Sequence, residues 1–218
     1  KELPAGQRGG EKDLIDMMAR IYKKRGWNEY GKFDTKGGLN QPYILFKAKN
    51  MEPAVRRTKW AKVRPIAPGT KHPMNTLLHR VGRAWSFVTT QIPGEHFVIN
   101  KTSEVPAFLR EAQEVAKHGK LEMKIFDIEG CYPNMPKETI RFALRDILQK
   151  IQREKGHDAV YVPKFSNKQP CQWKSKRKTS LRIPFEVMLD VMDFSLDFAM
   201  IRMPAGLGTP GQILRQRE

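Results

Sequence analysis

The sequence predicts an α+β fold, with helices and short antiparallel strands interleaved and no regular strand–helix–strand rhythm. Three observations lead there. Several segments carry apolar residues at helical spacing, short strand-like runs are bounded by Pro and Gly, and no internal repeat is visible. At 218 residues, 39% of them hydrophobic, the chain is long enough for one good core or two small domains.

In chain order, segment 11–25 sets Leu14, Ile15, Met18, Ile21 and Tyr22 on one helical stripe, and Gly26 is placed to end it. Residues 28–43, rich in Gly, Asn and charge, read as a loop. The run WAKVRPIAP (60–68) reads as a short strand entering a proline-bounded turn. His72 to Phe87 carries Leu77, Leu78, Val81 and Trp85 at helical spacing. Thr102 or Ser103 is a cap for a helix to about Lys117, expected to bury Val105, Phe108, Leu109, Ala112 and Val115, with Gly119 as the stop.

LEMKIFD (121–127) reads as a strand. Pro136 to about Lys155 is a strong amphipathic helix through Ile140, Ala143, Leu144, Ile147 and Ile151. Residues 157–182 hold the strand-like AVYVPKF and the basic run KSKRK, expected as a hairpin or insertion. Pro184 opens a last helix to about Phe198 through Phe185, Met188, Leu189, Met192 and Leu196. AMIRMP and QILRQR then flank AGLGTPG as a hairpin. The expected division is an N-terminal helix and loop (1–44), a middle segment (45–119) and a third (120–218) with the basic insertion at about 157–182.

Charge points to a partner class. Forty Lys and Arg against 23 Asp and Glu give +17, an excess that favours polyanions, of which nucleic acid is the commonest. Ten basic residues and one acid, Glu52, lie between Lys47 and Arg83. No apolar run reaches the roughly 18 residues of a membrane-spanning helix, so no membrane partner is expected. The first residues, KELPAGQRGGEKD, have no apolar core of a secretory signal and no starting Met, so an intracellular (nuclear or cytoplasmic) piece of a longer protein is expected. Cys131 and Cys171 lie far apart without partners at metal-ligand spacing, and the five His form no cluster.

The chemistry concentrates at Lys124–Met135, KIFDIEGCYPNM. In a strand, residues 121, 123, 125 and 127 share a face, so Asp127 continues the row of Leu121, Met123 and Ile125 to the edge of the core. A carboxylate there is costly unless it meets a cation or a donor. Gly130 permits a sharp turn that brings Tyr132 beside it, and Pro133 and Pro136 stiffen the entry to the next helix. An Asp followed by Gly is also an ordinary turn pairing.

FDIEGCYPNM resembles the first catalytic motif of reverse transcriptases, especially those of group II introns and non-LTR retroelements. The resemblance covers roughly residues 45–218. It implies an incomplete right-hand polymerase, with helical and basic-hairpin fingers and part of an antiparallel palm sheet packed on helices. It implies that Asp127 is the catalytic carboxylate and binds magnesium (Mg2+), that the Ile128 carbonyl assists as a metal ligand, and that Tyr132 lies under the incoming sugar. WAKVRPIAPGTKHPMN resembles the family's fingers motif, which implies that Arg64, with Lys62 or Lys59 assisting, grips the triphosphate; Arg suits bidentate phosphate contact and Lys a point contact. The implied partners are an RNA or DNA template-primer and deoxynucleoside triphosphates. Arg56, Arg57, Lys59, Lys71, Lys174, Lys176, Arg177 and Lys178 are the expected phosphate contacts. Trp60, Tyr161 and Trp173 interleave with these patches as candidates for base stacking, although aromatics in half-buried hairpins more often pack.

The pattern also departs from the family. A second carboxylate pair, usually Tyr-x-Asp-Asp, is expected, and this chain has no adjacent Asp pair. Asp190, Asp193 and Asp197 read as the polar stripe of the last helix. Gly208-Thr209-Pro210 matches the family's Gly-rich loop only superficially. The expectation is a fragment ending before the remaining motifs and inactive alone, because two-metal phosphoryl transfer needs both carboxylate sets. The main alternative is a non-catalytic nucleic-acid-binding protein. A second is a proofreading-type 3′–5′ exonuclease with Asp127 and Glu129 as paired ligands; the later Tyr-x-x-x-Asp it needs occurs only at Tyr30–Asp34, on the wrong side of Asp127.

Overall fold

The computed structural model describes residues 10–39, 41–46, 63–66, 68–92, 102–116, 119, 122, 124, 135–165, 169–198, 200–202 and 213–215. Over these the chain is α+β: five α-helices and three two-stranded antiparallel ribbons. The helices are α1 (Glu11–Lys24), α2 (Asn75–Thr89), α3 (Val105–Ala116), α4 (Lys137–Lys155) and α5 (Phe185–Asp197). The ribbons are β1 (Tyr43–Phe46) with β2 (Val63–Ile66), β3 (Ala159–Pro163) with β4 (Ser180–Pro184), and β5 (Met200–Arg202) with β6 (Ile213–Arg215). The described strands do not join into one larger sheet.

Helix α1 forms because Leu14, Met18 and Tyr22 recur one turn apart and are buried together. Glu11 and Asp13 sit in its first turn and Lys23 and Lys24 in its last, each matching the sign of the helix dipole. Gly26, at φ 68°, ends it in the left-handed conformation that glycine adopts without a steric penalty. The chain then buries Trp27, whose ring meets Tyr22 at 5.7 Å and Phe194 of α5 at 5.4 Å, both edge-on. This aromatic joint ties the first helix to the last. Four residues on, Gly31 passes so close to α2 that an added Cβ would lie 2.9 Å from both the Leu77 nitrogen and the Tyr22 hydroxyl. Burial pushes the Tyr22 phenol up to about 12, with Arg80 opposing the shift.

One buried cluster draws on α1, Trp27, α2, the second half of α4, β3, β4 and α5. Its side chains come from each of the three segments expected from sequence. Ala159, Val160, Val162 and Pro163 are all buried, so β3 is covered on both faces and only Tyr161 is half-exposed. In α5, Phe185, Met188, Val191 and Phe194 are buried, and Leu189 and Met192 pack against the same cluster. The helix is apolar nearly all round, wider than the single stripe expected.

Two expected faces differ. Helix α3 forms as its periodicity predicts, preceded by a 3-10 turn over Thr102–Glu104, but it buries none of its side chains, and Phe108, Leu109 and Val115 are exposed. Periodicity dictates the helix and its stripe but not a partner for the stripe. In α4, Leu148 and Ile151 are buried and Leu144 and Ile147 of the expected stripe pack against the same core half-buried, while Ala143 is exposed, as is Phe142. The strand expected at 121–127 falls outside the described residues save Glu122 and Lys124, which pair at 3.4 Å.

Met188 has no exposed surface, so Met188→Ala leaves a cavity and is expected to lower stability by about 2–5 kcal/mol; urea unfolding monitored by tryptophan fluorescence measures it. His72 gives a pH dependence. Its Nδ1 accepts the Met74 N–H at 3.2 Å, and burial lowers its pKa from 6.5. The neutral ring is therefore favoured in the native state, and its contribution is complete above pH 6.5 and lost as pH falls through the depressed native value. His72→Gln is expected to flatten that part of the stability profile.

Candidate nucleic-acid interface

The long connection between β3 and β4 carries the basic run, and its described residues, 164–165 and 169–179, make a set of backbone hydrogen bonds. After Pro163 the Lys164 N–H donates to the Thr179 carbonyl at 2.8 Å, extending the β3–β4 pairing, in which Pro163 faces Ser180. The connection also folds back along the opposite edge of β3, where Tyr161 and Gln172 exchange backbone hydrogen bonds at 2.8 and 3.1 Å. Cys171 is buried at this return, and burial pushes its thiol up. Ser175 Oγ accepts the Arg177 N–H and bonds to the Ser180 hydroxyl, and the Ser180 N–H donates to the Arg177 carbonyl. The basic run is thus a turn with its own internal hydrogen bonds.

Two arginines of α2 hold this connection from beneath. Arg80 donates to the Tyr30 carbonyl at 2.8 Å and the Lys164 carbonyl at 3.4 Å. Arg83 donates to the Pro163 carbonyl at 3.2 Å and the Gln169 carbonyl at 2.6 Å. Both lie in the basic stretch 47–83, yet they are spent on main-chain carbonyls of their own chain. A guanidinium's fork of donors suits this bridging, and its charge strengthens each bond.

Lys174, Lys176, Arg177 and Lys178 are exposed, and none is in an ion pair with a described residue. Between Asp158 and Glu186 the chain has seven Lys and Arg and no acid. Lys71 is exposed too, on the turn before α2, where its carbonyl accepts the Gly38 N–H at 2.8 Å. The structure therefore groups the four residues of the run and sets Lys71 on a different element. Arg64 lies in β2, its backbone paired with Leu45 of β1. Arg56, Arg57, Lys59 and Lys62 lie outside the described residues, as do Asp127, Ile128 and Tyr132.

Of the aromatics named as stacking candidates, Trp173 follows the commoner behaviour of rings in half-buried hairpins. Trp173 packs inward, stacked on His157 at 4.8 Å and edge-on to Phe87 and Phe185 at 4.8 and 6.2 Å. Trp60 lies outside the described residues. The composition of AVYVPKF is strand-like as far as Phe165, but β3 ends at Pro163 and the Phe165 ring is 86% exposed. The strand pairing ends with Pro163 opposite Ser180, and one further bond, from the Lys164 N–H to the Thr179 carbonyl, follows it.

The aspartates of α5 form structural ion pairs. Asp190 pairs with Arg25 of the α1 terminus, whose guanidinium also lies 5.3 Å from the Trp27 ring centre. Arg141 of α4 binds Asp193 at 3.0 Å, Asp197 at 2.7 Å and Glu138 at 2.5 Å, and Arg145 reaches Asp193 at 3.3 Å. The hydrogen bond that Arg141 donates to Asp197, then those it donates to Asp193 and Glu138, raise the Arg141 pKa further, with desolvation opposing. Among the described residues no group of three His, Cys, Asp or Glu side chains is arranged to hold a metal ion. No helix among them is long and apolar enough to cross a membrane.

Compared with known proteins, the chain matches no family model, no curated protein and no solved structure.

Arg141 is 15% exposed and joins α4 to α5 through two carboxylates. Arg141→Met is expected to lower stability by about 2 kcal/mol or more, because it leaves Asp193 and Asp197 beside each other with less compensation. The check is the urea midpoint, with Arg141→Lys recovering only part of the loss.

Proposed function

We propose that the chain is a reverse-transcriptase-like nucleotidyltransferase segment, comprising fingers and the first part of a palm, that grips a template-primer and a deoxynucleoside triphosphate. The observation that carries the proposal is the segment Lys124–Met135, in which Asp127 closes an apolar run and Tyr132 comes five residues later. The order of elements supports it. A hairpin containing Arg64 comes first, then two helices, then the Asp127 segment, then the long helix α4. In a complete enzyme of this class a primer hydroxyl attacks the α-phosphate in line and pyrophosphate leaves.

The residues of this chain do not complete the magnesium site that such chemistry needs. Asp127 is one carboxylate, and Asp190, Asp193 and Asp197 are engaged by Arg25, Arg141 and Arg145. With no second carboxylate set to hold the other metal, the chain is expected to bind and not to polymerise. A second reading, a binding module without catalysis, is favoured by the exposed run Lys174–Lys178, which has no acid partner among the described residues.

Asp127→Asn separates the two. In the polymerase reading the substitution abolishes magnesium-dependent deoxynucleotide binding, measured by calorimetry, and leaves nucleic-acid affinity equal or slightly higher. Wild-type protein that binds nucleic acid but shows no magnesium-dependent nucleotide binding would instead establish the binding module.

A further inference from the structure

Phe165 stands 86% in solvent two residues beyond the end of β3. An isolated exposed ring is common on protein surfaces. This one differs in what holds it and what surrounds it. The residue before it is fixed twice through its backbone: the Lys164 N–H donates to Thr179, and its carbonyl accepts from Arg80. Further along, the Gln169 carbonyl is fixed by Arg83. The Lys164–Thr179 bond sets Phe165 one residue beyond a cross-strand pair whose other member adjoins Lys178. The backbone of Phe165 therefore lies next to the end of the Lys174–Lys178 run, in a stretch of sequence without an acid, and its ring is in solvent.

We propose that Phe165 is a base-stacking residue for single-stranded nucleic acid, with Lys164 and the Lys174–Lys178 run contacting the phosphates on either side. The proposal rests on the reading of the basic run as a nucleic-acid contact and adds the form of nucleic acid recognised. Only an unpaired strand offers a base face to a protruding ring, whereas a duplex hides its faces in the stack. The cations serve both forms, because phosphate contacts carry no preference for sequence. Phe165 is the one large apolar side chain exposed among the described residues of the connection, and a single ring fits one base better than the acyl region of a bilayer, which takes a broader apolar face.

The test uses the full chain and a fluorescein-labelled oligothymidylate of about 20 nucleotides, with a blunt duplex of equal length as the second ligand. Anisotropy titrations at several salt concentrations compare wild type, Phe165→Ala, Phe165→Trp and Lys176→Ala. Phe165→Ala is expected to weaken single-strand binding about tenfold, leave duplex binding within about twofold and keep the salt slope. Phe165→Trp is expected to restore affinity, and Lys176→Ala to weaken both ligands and lower the single-strand slope by about 0.7. Unchanged single-strand affinity in Phe165→Ala overturns the proposal while leaving the nucleic-acid reading standing, as does an equal loss on both ligands. Wild type that binds neither ligand overturns both. A Phe165→Ala loss on phosphatidylserine vesicles, with none on the oligonucleotide, replaces the strand by a membrane surface.

Discussion

The burial of α5 is the constraint on which the other elements depend. Met188 and Val191 are completely enclosed, and Phe185 and Phe194 nearly so, by side chains from α1, α2, α4 and the β3–β4 hairpin. A helix covered on several sides needs its partners in place together, since each covers a different strip of the same cylinder. The Trp27–Phe194 contact fixes one end of the chain against it, and the Arg141 network fixes α4. The polar strip left on α5 is the aspartate row, and arginines from two neighbouring elements occupy it.

The protein uses its cations in two distinct ways. Arg25, Arg80, Arg83 and Arg141 are turned to carboxylates or carbonyls of the fold itself. Lys174, Lys176, Arg177 and Lys178 face water without an acid partner among the described residues. Part of the basic excess is thus engaged within the fold, while the described run at Lys174–Lys178 lies where the sequence has no acid. Most of the described long-range guanidinium and ammonium bridges come from arginine, whose planar fork suits them, with Lys155 to the Gln91 carbonyl as a lysine example.

Much of the local architecture was legible in the sequence because it rests on local physics. The stripe Leu14–Met18–Tyr22, the stop at Gly26, the long helix after Pro136, the start of α5 after Pro184 and the final hairpin all derive from periodicity and from Gly and Pro. The exposed stripe of α3 was not legible, since periodicity does not say which faces find a partner. Nor was the end of β3: AVYVPKF keeps a strand-like composition through Phe165, and only the pairing shows that the strand ends at Pro163, one bond short of the Lys164–Thr179 contact. The inward turn of Trp173 and the engagement of Arg80 and Arg83 depend on contacts far apart in sequence. The basic run at Lys174–Lys178 was visible from composition and the polar stripe of the α5 aspartates from helical spacing, but the arginines that pair with those aspartates were not, since they come from the end of α1 and from α4. Asp127, Ile128 and Tyr132 rest on the motif.

The hydrogen bonds from Arg80 to the Lys164 carbonyl and from Arg83 to the Pro163 and Gln169 carbonyls have a consequence for how a ligand is taken up. They fix these backbone groups when the protein folds, so the conformational entropy of those residues is lost before any ligand arrives. A ligand meeting a loop already in position binds with a smaller entropic penalty and without waiting for a segment to close. Affinity at this surface is therefore coupled to the integrity of α2, a helix that need not touch the ligand at all.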